Sequence, residues 1–316
     1  MKMNDEVKPK GFVIWLKQMR ADFLVLAVLL TMIGLALAAN SGVEFSFLKA
    51  ALLLVGVVSS HIAVNLFNEY WDYKTKVDFY TERTPFSGGS GNLQKGWTKP
   101  GQVFLAGTIA LVICLAIGIY FTLESHWIIA VFAIVGAVSI FFYNIVFARI
   151  MLGEIISGLS LGTLVVLGVY VGMTATSWDL SFAQILPTAV ILISIPPGIL
   201  TTQLLFLNEF PDAEADKKGG RRHWVIVFGK KISAWMYSVL MVSVYVMILI
   251  IFFMKFTTWT ILLALLTWPI AMNAIRIAIN HHSNMEKLMP ALGINVLTIL
   301  GTDFLIAGAL FLQLVL

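Results

Sequence analysis

Long apolar runs dominate this sequence of 316 residues and constrain its fold more than any other feature. Each run is about 20 residues long, the length that a helix needs to cross the hydrocarbon core of a bilayer. We predict nine transmembrane helices at 21–40, 45–68, 101–123, 126–147, 153–174, 184–208, 232–254, 257–280 and 290–315. Only 12% of the residues are charged, which excludes a soluble globular domain. The chain is therefore expected to be an all-α, polytopic membrane protein.

Basic residues are distributed unevenly among the predicted loops. All but two of the 21 Lys and Arg residues, Lys49 and Lys255, fall on one side of the nine-helix arrangement. Because basic loops stay on the cytoplasmic side, we predict a cytoplasmic N-terminus, cytoplasmic loops after the even-numbered helices and a C-terminus on the opposite side. This bias also accounts for the net charge of +4, so no nucleic-acid partner is expected. We expect an integral protein of a prokaryotic cell membrane.

The predicted domain organisation is one transmembrane domain preceded by a short arm. Residues 1–20 form the arm, in which KGFVIWLKQMR at 10–20 alternates apolar and basic positions and predicts a short helix on the cytoplasmic membrane surface. Residues 21–316 form the membrane domain, which contacts the lipid bilayer.

One short pattern occurs twice, as NEYWDYKTKVD at 68–78 and as NEFPDAEAD at 208–216. Each copy follows an even-numbered predicted helix, so both are expected on the cytoplasmic face. The repetition predicts two four-helix repeats, at about 21–147 and 153–280, followed by a last helix at about 290–315.

Acidic residues are concentrated in the same two stretches. Eight of the 17 lie there: Glu69, Asp72, Asp78, Glu82, Glu209, Asp212, Glu214 and Asp216. On a helix, residues four apart such as Asn68 and Asp72, or Asp212 and Asp216, lie on one face. Carboxylates of this kind bind Mg²⁺ together with substrate phosphates, and the neighbouring basic residues suit the remaining phosphate oxygens. The alternative interpretation is that these acids are simply solvated loop residues.

Several further stretches complete a family pattern. They are NLFNEYWDYKTKVD at 65–78, RADFL at 20–24, TPFSGGSG at 84–91, LGE at 152–154, and DAEADKKGGRR at 212–222 followed by FGK at 228–230. Together with the two Asp-rich motifs, they resemble the UbiA superfamily of intramembrane prenyltransferases. The first motif is most similar to the MenA-like branch, the 1,4-dihydroxy-2-naphthoate polyprenyltransferases.

This resemblance implies nine helices around a central cavity and a Mg²⁺-dependent enzyme, with Mn²⁺ as a possible substitute. The implied reaction is transfer of a prenyl group from an isoprenyl diphosphate to an aromatic acceptor such as 1,4-dihydroxy-2-naphthoate. The implied metal ligands and catalytic residues are Asn68, Asp72, Asp78, Asp212 and Asp216. The implied substrate-binding residues are Arg20, Asn65, Glu69, Tyr143, Arg149, Asn208, Lys217 and Arg222.

The sequence departs from the family pattern in several places. Glu69 replaces the usual Asp, and Arg149 is the nearest cation to the place where relatives have a basic residue four positions after Tyr143. Pro211 stands where relatives often have Arg, and we expect it to bend or end its helix.

Two other functions remain open from the sequence. A terpene cyclase of the same superfamily would ionise the same diphosphate without an aromatic acceptor. A cation-coupled transporter would also have repeats and an intramembrane acid such as Asp303. A zinc site is not expected, because no His or Cys residues have suitable spacing.

Overall fold

The structure is a computed structural model that describes residues 8–81, 83–84 and 88–316. Within these ranges all regular structure is helical, which confirms the all-α prediction. Glu82, the start of the arm at 1–7 and positions 85–87 of the glycine-rich stretch lie outside the described residues.

Twelve α-helices follow one another along the described chain. In order they are α1 Gly11–Gln18, α2 Leu24–Asn40, α3 Phe47–Lys74, α4 Pro100–Glu124, α5 Ile128–Phe142, α6 Gly153–Gly158, α7 Leu164–Thr174, α8 Phe182–Ile185, α9 Thr188–Lys218, α10 Trp224–Phe253, α11 Trp268–His281 and α12 Met285–Leu312. Short 3-10 segments lie at Ala21–Phe23, Val77–Phe79, Phe147–Arg149 and Trp259–Thr267, and a π-helical turn at Leu159–Thr163 joins α6 to α7.

Eight helical segments in the described part of the chain are long and apolar enough to cross a membrane. They are Ala21–Asn40, Phe47–Lys74, Pro100–Glu124, Gly153–Thr174, Thr188–Lys218, Trp224–Phe253, Trp259–His281 and Met285–Leu312. The remaining predicted span, 126–147, contains only the 15-residue helix α5, about 22 Å long at 1.5 Å per residue. The chain is therefore an integral membrane protein, but the predicted count of nine spans is not confirmed.

The second acidic stretch lies wholly within a helix, and the first lies in the last turns of α3 and in the 3-10 turn after it. We predicted helix ends at 68 and 208, whereas α3 continues to Lys74 and α9 to Lys218. Of the two outcomes expected at Pro211, a bend or an end of the helix, the end is wrong, because α9 continues through this residue. Its neighbours Phe210 and Ala213 are buried in the core, and this packing offsets the hydrogen bond that an internal proline removes.

The helix pairs that carry the two stretches pack in the same way. Helix α3 lies against α4, and α9 lies against α10, while α12 packs on α2, α9 and α11. The largest fully buried side chains include Phe67 on α3, Phe206 and Phe210 on α9, and Tyr237 on α10. Equivalent pairing is what an internal repeat would give, and the repeat stays a prediction.

The ends of α3 and α9 approach each other closely at Gly219. This glycine follows α9, and a Cβ atom there would overlap the side chain of Val77, in the turn after α3. A residue without a side chain thus lets the turn after α3 lie directly against the end of α9. The two acidic stretches are held next to each other as a result.

Candidate active site

Side chains from both acidic stretches line one polar pocket with about 680 Å³ of empty space. Asp72 and Asp78 come from the end of α3 and the turn after it, and Asp212 and Asp216 come from the last two turns of α9. The other polar lining residues are Arg20, Asn68, Thr81, Tyr143, Asn208, Glu209, Arg221 and His223. Two helices distant in sequence therefore direct four aspartates, together with Glu209, into a single space.

Arg221 joins the two acidic stretches. Its guanidinium group donates to Asp216 Oδ1 at 2.8 Å and to Asn144 Oδ1 at 2.7 Å, and it forms an ion pair with Asp72. Although burial alone would lower the pKa of Arg221, the carboxylates of Asp216 and Asp72 raise it above its usual value. The guanidinium group is thus permanently charged and lies between the two halves of the pocket.

Asp78 lies in the 3-10 turn after α3 and is buried. Its Oδ2 accepts a hydrogen bond from Gln94 Nε2 at 2.7 Å. Burial, together with the nearby carboxylates of Asp72 and Glu69, raises the pKa of Asp78 to about 8. Without a cation in the pocket, this carboxyl group is therefore protonated at neutral pH.

Glu69 belongs to the first stretch, but its carboxylate is hydrogen-bonded to other parts of the chain and does not line the pocket. Its carboxylate accepts hydrogen bonds from Ser90 N at 2.6 Å, Ser90 Oγ at 2.7 Å and Gln18 Nε2 at 2.8 Å, and Arg20 Nε lies 3.5 Å away. Gly89, beside it, has a φ of 68° that favours glycine. Glu69 thus fastens the glycine-rich loop and the α1 segment to α3.

A second cavity, with about 750 Å³ of empty space, adjoins the polar pocket and extends between the helices. Arg20, Asn68, Tyr143 and Asn208 line both, whereas Asn65 lines only the second cavity. The other residues of this cavity are mostly apolar and include Phe23, Leu26, Val64, Leu161 and Leu204. The polar pocket therefore opens toward an apolar space inside the bundle.

The asparagines of the site differ in how they are satisfied. Asn68 Oδ1 accepts from Asn144 Nδ2 at 2.7 Å, and Asn65 Nδ2 donates to the Met19 carbonyl at 2.9 Å. Asn208 Oδ1 is buried and receives no hydrogen bond from the described residues. Burial, with the Glu209 carboxylate, raises the pKa of Tyr143 well above its usual range, so its hydroxyl group stays protonated.

Three basic residues expected in the site do not line the pocket. Lys217 and Arg222 have exposed side chains, and Arg149 is not among the lining residues; its Nη1 atom lies 3.9 Å from a Cβ placed on Gly220. The chain brings Arg221 into the pocket instead. The sequence indicated a basic cluster here, but not which of its members turns inward.

Glu154, Glu209 and His223 form a group that the sequence did not predict. His223 Nε2 lies 3.2 Å from Asp216 Oδ2, and His223 Nδ1 lies 3.5 Å from Glu209 Oε2. Glu154, at the start of α6, accepts a hydrogen bond from Trp224 N at 2.6 Å. These three residues are 55 and 14 positions apart along the chain, so no local pattern indicated that they would meet.

Comparisons with known proteins agree with this geometry. The model of the UbiA prenyltransferase family matches residues 27–298. A protein of Bacillus subtilis (strain 168) named 1,4-dihydroxy-2-naphthoate octaprenyltransferase is 30% identical over 192 residues, which are 60% of this chain and 58% of that protein. The match thus spans less than two thirds of the relative's length.

Solved structures show the same fold. The apo structure of a UbiA homolog from Aeropyrum pernix K1 superposes with a TM-score of 0.72 at 13% identity and covers 93% of this chain and 98% of the homolog. A UbiA homolog from Archaeoglobus fulgidus bound to DMAPP and Mg²⁺ has a TM-score of 0.56 at 16% identity, over 93% of this chain and 99% of that one. With a family model that matches most of its length, the chain belongs to the UbiA prenyltransferase family, as its motifs predicted.

Proposed function

We propose that this protein transfers a prenyl group from an isoprenyl diphosphate to an aromatic acceptor, in a Mg²⁺-dependent reaction for which Mn²⁺ can substitute. The observation that carries this proposal is the meeting of four aspartate carboxyl groups with Arg20 and Arg221 in one pocket that continues into a mostly apolar cavity. The acceptor we propose is a quinone precursor such as 1,4-dihydroxy-2-naphthoate. The name of the Bacillus subtilis relative supports this acceptor.

The residues of the pocket fit magnesium. Mg²⁺ prefers oxygen ligands and is commonly held by one or two carboxylates together with substrate phosphates. We assign Asn68, Asp72 and Asp78 to one ion, and Asp212 and Asp216 to a second. The Asn208 Oδ1 atom is buried and receives no hydrogen bond from the described residues, so it is available as a further oxygen ligand to the metal. The homolog from Archaeoglobus fulgidus, of the same fold, is described with DMAPP and Mg²⁺ bound.

The ions would neutralise the diphosphate as it leaves with the electron pair of the carbon–oxygen bond. Arg221 and Arg20 supply positive charge from the protein on two sides of the pocket, and a guanidinium group binds phosphate oxygens through paired hydrogen bonds. Both residues therefore serve as diphosphate contacts in our proposal. Arg221 exchanges its present carboxylate partners for phosphate oxygens when substrate binds.

The second cavity holds the prenyl chain and the acceptor ring in this proposal. Its apolar residues exclude water from the allylic cation, and Tyr143, with a protonated hydroxyl group, forms part of the wall between pocket and cavity. The ring carbon of the acceptor donates an electron pair to the allylic carbon. The ring then loses a proton or its carboxyl group, which restores aromaticity.

We also propose the orientation in the membrane. The polar pocket lies at the ends of α3 and α9, next to most of the basic residues, so we place it on the cytoplasmic face of a prokaryotic cell membrane. In this proposal the short helix α5 counts as the ninth span, so the N-terminus lies on the same face and the C-terminus on the opposite one.

The test is transfer by the purified protein in detergent, with geranylgeranyl diphosphate, 1,4-dihydroxy-2-naphthoate and Mg²⁺. We expect a prenylated naphthol product, no product after chelation, and recovery with Mg²⁺ or Mn²⁺. Hydrocarbon released without any acceptor would identify a terpene cyclase instead. Recovery with zinc alone would contradict the proposed oxygen-ligand site.

A further inference from the structure

Three buried side chains converge at the wall of the polar pocket, which Glu209 and His223 line. Glu154 lies in the first turn of α6, Glu209 lies on α9, and His223 precedes α10; their exposed fractions are 0%, 5% and 2%. One ligand atom from each residue lies within 4.8 Å of the other two. This spacing of a histidine and two acidic side chains is close enough for all three to bind one metal ion.

The atoms that point into this cluster lack hydrogen-bond partners within the described residues. Glu154 Oε1 accepts from Trp224 N, but Glu154 Oε2 and Glu209 Oε2 receive no hydrogen bond. No Lys or Arg in the described ranges lies within ion-pair distance of either carboxylate. Two buried carboxylates are costly unless a proton or another positive charge lies between them. The cluster therefore has ligand atoms oriented inward and a need for positive charge, which a proton or a metal ion supplies.

His223 has the orientation of a metal ligand. Its Nδ1 faces Glu209 Oε2 at 3.5 Å, and its Nε2 lies 3.2 Å from Asp216 Oδ2 on the other side of the ring. A histidine that binds a metal through one ring nitrogen usually donates its other N–H group to a carboxylate, which fixes the ring and its tautomer. Asp216 is positioned to be that carboxylate.

We propose that Glu154 Oε2, Glu209 Oε2 and His223 Nδ1 bind one divalent transition-metal ion, distinct from the magnesium ions assigned to the diphosphate pocket. An imidazole ligand suits Mn²⁺, Fe²⁺ or Zn²⁺, whereas Mg²⁺ is held by oxygen ligands. Sequence analysis did not anticipate this site, because its ligands are 55 and 14 positions apart and include a single histidine.

Such an ion would join three parts of the bundle and support the Asp216 carboxylate. It would tie the start of α6 and the residue before α10 to α9, and His223, in the wall of the pocket, would hold the Asp216 carboxylate in place. Glu154, Glu209 and His223 are thus positioning residues for the diphosphate site.

The first experiment uses the whole protein in detergent with Mn²⁺ as the probe and no diphosphate. After loading and desalting, metal analysis should count one retained ion for each chain. Pulsed electron paramagnetic resonance should show coupling of that ion to a nitrogen nucleus, because His223 is a ligand. A retained ion without nitrogen coupling, or no retained ion, would overturn the proposal without any variant.

Two variants test the ligands, each with a check of folding by circular dichroism. Glu154→Gln keeps an oxygen that can accept from Trp224 N but removes a charged ligand, and His223→Asn removes the imidazole. Mutation of a residue that hydrogen-bonds to a metal ligand typically lowers metal affinity by about 10- to 100-fold. We therefore expect loss of a direct ligand to weaken Mn²⁺ binding by more than about 100-fold. Asp303→Asn is the matched control, because it also neutralises a buried carboxyl group and lies outside the cluster. Unchanged Mn²⁺ affinity in Glu154→Gln or His223→Asn would contradict the assignment.

A third variant separates this inference from the proposed function. Asp72→Asn should abolish prenyl transfer and still retain the nitrogen-coupled ion. If the wild-type protein retains the ion but transfers no prenyl group, the proposed function is wrong and the metal cluster stands. If Asp72→Asn loses the ion while Glu154→Gln keeps it, the retained metal belongs to the diphosphate pocket and the cluster is wrong.

Discussion

Glu69 and Glu209 hold the same position in the two repeated stretches, and both are buried, yet their surroundings differ. The Glu69 carboxylate accepts hydrogen bonds from Ser90 and Gln18. Glu209 lies beside His223 and Glu154 and has an oxygen without a hydrogen bond from the described residues. The repeated pattern thus places a glutamate at the same position twice, but Glu69 anchors the glycine-rich loop and Glu209 faces a buried histidine.

The same contrast explains where the positive charge of the site comes from. Near the first stretch, Arg20 precedes the first membrane segment and lies 3.5 Å from Glu69. After the second stretch, Arg221 reaches across to Asp72 as well as back to Asp216. The second half therefore contributes the residue that couples the two halves. Variants of the residues that line the common pocket, and variants of the two glutamates, test this comparison.

The largest effect is expected from the aspartates that occupy equivalent positions in the two stretches and line the same pocket. Asp72→Ala or Asp212→Ala should each reduce single-turnover prenyl transfer by about 10³-fold or more, because an insufficiently neutralised diphosphate is a poor leaving group. Glu214→Ala is the matched control, since Glu214 lies in the same stretch with an exposed side chain. Near-normal transfer by either Asp variant at moderate Mg²⁺ would contradict the two-cluster site.

A smaller loss is expected from the arginine that joins the halves. Arg221→Ala should lower the rate of transfer by about 10²-fold, since one charged donor to the diphosphate is removed. Arg222→Ala, which removes the same charge from an exposed neighbour, should change the rate less than about threefold. Steady-state rates at saturating substrate measure both. Equal losses in the two variants would mean that the basic cluster acts only through its overall charge.

Mg²⁺ affinity should depend on pH through Asp78. The pKa of Asp78 is raised to about 8, so below that pH an ion must displace a proton from this carboxyl group. Apparent affinity should therefore rise by up to about tenfold for each pH unit toward pH 8 and level off above it. Calorimetric titration at several pH values measures this, and Asp78→Asn should bind more weakly with a flatter profile. An unchanged slope in that variant would assign the proton to another group.

The smallest effect concerns the two glutamates of the comparison. Glu69→Gln should destabilise the loop around Ser90 by about 1–3 kcal/mol, because charged hydrogen bonds to buried donors are lost. Faster hydrogen exchange at the Ser90 amide would report this change. Glu209→Gln should leave that exchange unchanged, since Glu209 does not contact the loop. Similar exchange in both variants would remove the distinction between the two halves.

Much of the fold could be predicted because apolar run length and membrane thickness are directly related. The helices carrying the acidic stretches were predicted, but not their ends, since α3 and α9 continue as polar helices beyond the apolar runs to Lys74 and Lys218. The 15-residue α5 was also predicted to be longer than it is. Hydropathy marks where a helix is apolar, and polar helical turns at its end leave no hydropathy signal.

The acids of the site could be predicted because their spacing on one helix face is visible in the sequence. The choice of Arg221 over Lys217 and Arg222 could not, since it depends on the turn after α9, where Arg222 N instead donates to the Ala148 carbonyl at 2.8 Å. The anchoring of Glu69 depends on a loop 21 residues away. Tertiary contacts, not local pattern, decide which of several similar side chains faces the pocket.

A double-mutant cycle across α3 and α9 tests most directly whether the two stretches form one site. Single-turnover transfer with saturating acceptor is measured for the wild type, Asp72→Ala, Asp212→Ala and the double variant, with rates kept above the uncatalysed background. If one diphosphate is neutralised by both halves together, the double variant should be at most about tenfold slower than the slower single variant, because residues that act as a unit have non-additive effects. Fully multiplicative losses, about 10⁶-fold for two losses of about 10³-fold, would show that the repeated stretches perform separate tasks and would contradict a shared site.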